Sequence, residues 1–110
     1  EAIAIGVGAG REDQGADTIA IGLNAGSIRQ LADAIAIGEE AGQKDQGTDA
    51  IAIGEQAARV NQGDQSIAIG SQAGQENQGA YSIAIGYEAA GATGAGNDQK
   101  TDAIAIGANA

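Results

Sequence analysis

The chain repeats one short apolar segment, Ile-Ala-Ile-Gly, seven times, and this repetition limits its possible folds more than any other feature. The glycine that ends each segment recurs every 16 residues from Gly6 to Gly86, and the seventh, Gly107, follows after 21 residues. A fixed period this short is typical of a solenoid, in which each coil packs only on its neighbours. We therefore expect an all-β parallel β-solenoid of about seven 16-residue coils, forming a single domain over residues 1–110. The longer last step predicts a five-residue insertion in one coil, around residues 91–96.

The two faces of the repeated strand are both apolar. Side chains alternate along a strand, so the isoleucines of each segment point to one side and the central alanine to the other. A narrow solenoid has one interior, which we expect the larger side chains to fill as the structural core: Ile3, Ile5, Ile19, Ile21, Ile35, Ile37, Ile51, Ile53, Ile67, Ile69, Ile83, Ile85, Ile104 and Ile106. The alanines would then form an apolar stripe that serves as a subunit interface: Ala4, Ala20, Ala36, Ala52, Ala68, Ala84 and Ala105.

One glutamine recurs at the same point of each coil. The set is Gln14, Gln30, Gln46, Gln62, Gln78 and, after the insertion, Gln99. Stacked coils would place these amides about 4.8 Å apart, which suits a Gln ladder. The alternative is that glutamine is simply tolerated in a turn.

Composition excludes several classes of function. The formal charge of −10, from 15 acidic and 5 basic residues, argues against a nucleic-acid partner or an anionic membrane surface. No apolar run approaches the roughly 18 residues that a membrane span needs, so we expect no direct membrane insertion of this segment. Without His, Cys or a serine beside an obvious base, we predict no catalytic residue, no cofactor and no enzymatic activity.

The stretch Gly94–Thr101 departs from a phosphate-binding P-loop, because Gln99 replaces its second glycine and a strand follows instead of a helix.

Aspartates precede several of the repeated strands, at Asp17, Asp33, Asp49 and Asp102. Like charges stacked in successive coils repel, so these side chains either extend into solvent or hold a cation between them. The Gly- and Asp-rich nonapeptide of calcium-binding β-rolls is absent. We predict a solvated row with no metal site, and weak Ca²⁺ binding is the alternative.

The Ser-, Thr- or Ala-Ile-Ala-Ile-Gly pentads, separated by Ala- and Gly-rich turns, resemble the head repeats of trimeric autotransporter adhesins of the YadA type, whose usual signature is Ser-Val-Ala-Ile-Gly. The resemblance covers essentially the whole chain. It implies a left-handed parallel β-roll, three chains wound around a common axis, and a rod exposed on a bacterial surface. The 16-residue period is also similar to repeats in fibre proteins of large viruses and phages. The resemblance therefore implies either a cell surface, with an outer-membrane anchor in the full-length protein, or a virion surface.

The predicted function is that of a fibre or adhesin head segment, a rigid rod that presents or mediates multivalent attachment. Its expected partners are two further copies of itself and host-surface or extracellular-matrix molecules. Tyr81 and Tyr87 are candidate ligand contacts, and the alternative is that they pack on a neighbouring coil. Two other functions remain, a virion or phage fibre spacer and a binding module that uses the 91–96 insertion. We take the 110 residues as a fragment of a longer fibre.

Overall fold

The computed structural model describes residues 1–90 and 98–110, and the predicted insertion at 91–96 lies outside these residues. The described residues form strands and turns and no helix, which confirms the all-β prediction. The strands are β1 Ala2–Ile5, β2 Glu12–Gln14, β3 Thr18–Ile21, β4 Ile28–Gln30, β5 Ile35–Ile37, β6 Lys44–Gln46, β7 Ile51–Ile53, β8 Val60–Gln62, β9 Ile67–Ile69, β10 Glu76–Gln78, β11 Ile83–Ile85 and β12 Ile104–Ile106.

Two parallel sheets run along the molecule. The pentad sheet contains seven strands in the order β1-β3-β5-β7-β9-β11-β12, and the glutamine sheet contains five in the order β10-β8-β6-β4-β2. Each strand pairs with its equivalent one period away, as Ala36 does with Ala52. The pairing of β11 with β12 keeps the same register although the sequence step is 21 residues, because Ala84 lies opposite Ala105. The predicted parallel β-solenoid is thus confirmed, and five of its coils have a described strand in both sheets.

The coil turns at residues with positive φ. In the coil that begins at β5, these are Gly38 at 128°, Glu40 at 55°, Gly42 at 51°, Asp45 at 59° and Asp49 at 55°. The first is a region that only glycine enters easily, whereas Asp and other residues with side chains tolerate the left-handed region at the later corners. A residue with a Cβ would also clash at position 38, since that atom would lie 2.6 Å from the carbonyl oxygen of Gly54 in the next coil.

Alanine methyl groups fill the interior. The central alanines Ala20, Ala36, Ala52, Ala68 and Ala84 are fully buried, as are the alanines of the corner that follows each pentad, Ala25, Ala41, Ala57, Ala73 and Ala89. Together with Ala58 they form one continuous core cluster. Ala105 is partly buried against the cluster, and Ala4 is exposed in the coil at one end of the stack.

The structure therefore reverses the predicted roles of the two faces. The predicted interface alanines, Ala4, Ala20, Ala36, Ala52, Ala68, Ala84 and Ala105, are on the inner side of the coil, and the predicted core isoleucines lie on the outer side. The isoleucines of β3, β5, β7 and β11 are half-buried, while Ile69 is 36% exposed and Ile3, Ile5, Ile104 and Ile106 in the end coils are 51–69% exposed. That prediction was wrong because it ranked burial by size of side chain.

The width of the interior explains the reversal. A Cβ added at Gly26, on the wall opposite the pentad sheet, would lie 3.3 Å from the Cβ of Ala20 and 2.6 Å from Oε1 of Gln30. A methyl group and a glutamine amide already occupy this space, so a branched side chain of four carbons cannot enter. The described chain measures 33 × 21 × 21 Å, which makes it a short rod. Among the described residues, no helix has the length and apolarity needed to span a membrane.

Candidate assembly surface

The outer side of the pentad sheet is an apolar stripe, which we call the isoleucine face. It consists of the two isoleucines of each pentad, and strand pairing stacks them in two columns, so that Ile19 lies opposite Ile35 and Ile21 opposite Ile37. Each isoleucine has its backbone in the sheet and its side chain on the outside, and contact with the neighbouring coils leaves most of them half-buried. The face runs through all seven strands of the sheet without an intervening polar column.

Two rows of residues border this face. The leading rim lies two residues before the first isoleucine of each pentad and consists of Glu1, Asp17, Asp33, Asp49, Gln65, Tyr81 and Asp102. The trailing rim directly follows the pentad glycine and consists of Val7, Leu23, Glu39, Glu55, Ser71, Tyr87 and Ala108. All of these residues are exposed except Ser71, which is half-buried. The sequence contains both rows at fixed spacing, but only the outward direction of the isoleucines shows that they border one face.

Charge is distributed unevenly around the coil. The five basic residues lie in or directly beside the glutamine sheet, at Arg11, Arg29, Lys44, Arg59 and Lys100. Three of them pair with carboxylates close to that sheet: Arg11 with Glu12 at 3.2 Å, Arg29 with Asp45, and Arg59 with Glu76 at 3.4 Å. The rims carry acidic, polar, aliphatic and aromatic residues and no Lys or Arg. Acidic residues thus border much of the isoleucine face, while every Lys and Arg side chain lies in or beside the glutamine sheet.

The recurrent glutamines connect the two sheets. Gln46 is fully buried, and its Nε2 donates hydrogen bonds to the carbonyl oxygens of Ile35 at 2.6 Å and Ala50 at 3.3 Å. Gln30, Gln62 and Gln99 repeat this pair of bonds, and Gln14 and Gln78 make the bond to the isoleucine carbonyl.

The glutamine side chains also stack in register along the rod, as a ladder requires. Amide-to-amide bonds join Gln14 to Gln30 at 3.5 Å and Gln62 to Gln78 at 3.3 Å. Most of the amide bonds go instead to backbone carbonyls. The column therefore acts mainly as a series of braces between the sheets.

Small hydroxyl side chains support one corner of the coil, a role that sequence reasoning missed. Thr18, Ser66 and Ser82 each donate a hydrogen bond to the carbonyl oxygen three residues earlier, at 3.1, 2.7 and 2.5 Å. The same position holds alanine in other coils, for example Ala34 and Ala50. Because this position holds only Ala, Ser or Thr, the sequence pattern does indicate a small buried side chain there.

Tyr81 and Tyr87 lie at the two ends of β11, on opposite rims of the isoleucine face. They are 57% and 54% exposed. The Glu88 carboxylate accepts a hydrogen bond from the Tyr87 hydroxyl and its charge disfavours the phenolate, so the pKa of Tyr87 is raised above 10.0. Tyr81 has φ of 57°, a conformation that is unusual for an aromatic residue.

The acidic residues do not gather into a metal centre in residues 1–90 and 98–110, where no three Asp, Glu, His or Cys side chains converge on one point. Asp17, Asp33, Asp49 and Asp102 are exposed along the leading rim. The amino terminus of Glu1 lies 2.9 Å from Oδ1 of Asp17.

Comparison with known families gives the YadA head domain repeat, matched in two copies at residues 62–73 and 78–89. Both copies begin at the recurrent glutamine, pass through the pentad strand and end at the buried corner alanine, so they cover the same part of successive coils. No curated protein and no solved structure gave a significant match. The remaining coils repeat the sequence pattern and the strand register of the matched pair. The two matched copies and the β-solenoid fold together fit a YadA-type head-repeat region, as the pentads indicated.

Proposed function

We propose that this region forms part of a homotrimeric rod at a surface, in which the isoleucine faces of three copies pack around a common axis. The observation that carries the proposal is the isoleucine face itself, an apolar stripe along all seven strands of the pentad sheet. Contiguous exposed apolar surface of this kind marks an interaction site in soluble proteins. The number three comes from the YadA-type repeat, whose heads are trimeric.

The available burial is large enough to drive assembly. Completing the burial of a half-exposed isoleucine contributes about 1 kcal/mol, so the fourteen isoleucines of one face offer roughly 10–15 kcal/mol per chain. Association costs about 4–15 kcal/mol in lost translational and rotational freedom. The face therefore favours self-association, and each pair of isoleucines lost removes about 2 kcal/mol per chain.

The rod would act by multivalent attachment. Its polar outer corners repeat along the axis, so many weak contacts with a host surface or matrix add up without a deep pocket. This role fits an adhesin head on a cell surface, anchored through other parts of the full-length protein. A fibre spacer on a virion is the alternative that the same architecture allows.

Sedimentation equilibrium tests the assembly. We expect a trimer for the unchanged chain and at least a roughly 100-fold weaker association for the double variant Ile51→Ser and Ile53→Ser. The matched control is Ile28→Ser with Val60→Ser, which removes half-buried apolar side chains from the glutamine sheet at a position where other coils carry Glu or Lys. A monomeric parent chain, or equal weakening by both double variants, would contradict the proposal.

A second candidate function, a binding module at residues 91–96, has one specific observation in its favour. Strands β11 and β12 pair in the ordinary register across the 21-residue step, so the additional five residues are not needed to build the sheet. Deleting residues 91–95 restores the 16-residue period. Attachment to matrix-coated surfaces should survive this deletion if the repeated corners bind, and should be lost from an intact rod if the insertion binds.

A further inference from the structure

The residues of the leading and trailing rims indicate how neighbouring copies contact each other. This inference rests on the proposed trimer. In a closed ring of three copies that point the same way, each joint brings the leading rim of one copy to the trailing rim of the next. A closed ring has no translation along its axis, so each coil meets the same coil of its neighbour. The two rims can therefore be compared coil by coil.

In four successive coils the two rims carry residues of the same kind, whereas in the other three an acidic residue of the leading rim stands in the same coil as an aliphatic residue of the trailing rim. Where the leading rim has Asp33 and Asp49, the trailing rim has Glu39 and Glu55. In the next coil both positions are uncharged and polar, Gln65 and Ser71. In the coil after that both are tyrosine, Tyr81 and Tyr87, and these are the only aromatic residues in the chain.

Within one chain the two tyrosines cannot meet. They are six residues apart, beyond opposite ends of β11, and at about 3.3 Å per residue the strand separates them by up to roughly 20 Å. Both are more than half exposed, which leaves their rings without a full packing partner in the chain. In the ring, the ends of β11 from adjacent copies come together at all three joints.

Tyr81 stands at a corner that has the same backbone conformation in successive coils. Its φ is 57°, and other coils place Asp, Gln or Glu at this position. The coil itself holds the backbone there, since Tyr81 N donates a hydrogen bond to the Asp64 carbonyl oxygen at 3.0 Å. The ring is a bulky aromatic side chain at a corner that the other coils fill with acidic or amide side chains, and it is exposed.

We propose that Tyr81 of one copy packs against Tyr87 of the next copy, so that three such aromatic pairs hold the trimer in register at the coil of β11. Aromatic rings of this kind pack edge to face or offset, and their hydroxyl groups can stay in water. Like charges oppose closure at two coils, where Asp33 meets Glu39 and Asp49 meets Glu55, and the tyrosine coil offsets that repulsion.

Photo-oxidative coupling of tyrosines tests the pairing in the intact chain. A photoexcited one-electron oxidant takes one electron from each of two phenols, each phenol releases its proton to water, and the two phenoxyl radicals form a carbon–carbon bond between their ortho ring carbons. The unchanged chain should give covalent dimers and trimers on a denaturing gel, with Tyr81 linked to Tyr87 in the peptide mass spectrum. Tyr81→Phe and Tyr87→Phe keep an aromatic ring, so both variants should remain trimers by sedimentation yet lose most of the cross-linked product.

The outcomes separate this pairing from the trimer itself. A trimer whose cross-links persist in either single variant means that like tyrosines meet, which overturns the pairing alone. A trimer that does not cross-link in the unchanged chain also overturns the pairing alone. A monomer overturns both the pairing and the proposed function.

A second measurement gives the size of the effect. Replacing both tyrosines by serine should weaken the trimer by a factor of about 10 to 1000, because three aromatic pairs are lost. Leu31→Gly is the matched control, since Leu31 is an exposed apolar residue away from the isoleucine face, at a position where Gly15 and Gly47 stand in other coils. Equal weakening by the control would overturn the pairing.

Discussion

Replacing Gly38 by alanine should be among the most damaging single changes in the chain. The residue has φ of 128°, and an added Cβ would lie 2.6 Å from the Gly54 oxygen and 2.7 Å from the Gly54 carbonyl carbon. The unfavourable φ alone costs about 1–3 kcal/mol. Relieving the contact requires the coils to separate by several tenths of an ångström. That movement stretches the 2.8 Å hydrogen bond from Gly54 N to the Ile37 oxygen beyond the usual range and costs about 1 kcal/mol for each bond weakened.

The sum predicts a loss of about 3–5 kcal/mol in the free energy of unfolding, measured by urea denaturation with circular dichroism at a fixed protein concentration. Gly107→Ala provides the matched control. Gly107 has a similar φ of 116°, but no atom lies within 4 Å of its added Cβ, so it should lose only the roughly 1–3 kcal/mol of backbone strain. Equal losses in the two variants would show that the close approach of neighbouring coils is not what requires glycine, and the steric argument would fail.

Three further changes test other parts of the structure. Ala52→Leu places three more carbons in a fully buried position and should lower the free energy of unfolding by at least about 1–3 kcal/mol, measured as a lower melting temperature. An unchanged melting temperature would mean that the interior has room for the larger side chain. Ser66→Ala removes a 2.7 Å hydrogen bond to a backbone carbonyl but leaves the methyl group that other coils have there, so the free energy of unfolding in urea should fall by only about 0.5–1.5 kcal/mol. A loss comparable to that of Ala52→Leu would contradict this expectation. Glu88→Gln should lower the pKa of Tyr87 towards 10.0, because the hydrogen bond to the carboxylate and its negative charge both favour the protonated phenol. Ultraviolet titration in a Tyr81→Phe background isolates this group, and an unchanged midpoint would rule out Glu88 as the cause.

The period of the sequence was sufficient to predict the parallel strands, their register and the stacking of the glutamines. It did not predict which side of the strand faces inwards. Isoleucine and alanine are both apolar, so alternation alone leaves two possible orientations, and size favoured the wrong one. The orientation depends on the distance between the two walls of a coil. The structure gives this distance through the close approach of Gly26 to Ala20, and the local sequence does not.

Another feature of the sequence nevertheless indicated which side of the strand faces inwards. Corner alanines such as Ala25 and Ala41 recur as regularly as the pentads, and the coil needs an inner position for them as well as for the glutamine. With those places filled by small residues, only a narrow interior remains, and the isoleucines must lie outside. The recurrence of the glutamine was visible, but its role in joining β-strands of different sheets depends on the closure of the coil in three dimensions.

The uniform cross-section of the coil has a consequence for how such a protein changes over time. Every coil offers its neighbours the same alanine and glutamine surface in the same register, so inserting or removing 16 codons leaves each remaining contact intact. Recombination between repeats would therefore lengthen or shorten the reach of the rod in steps of about 4.8 Å, without any need to redesign what lies at either end.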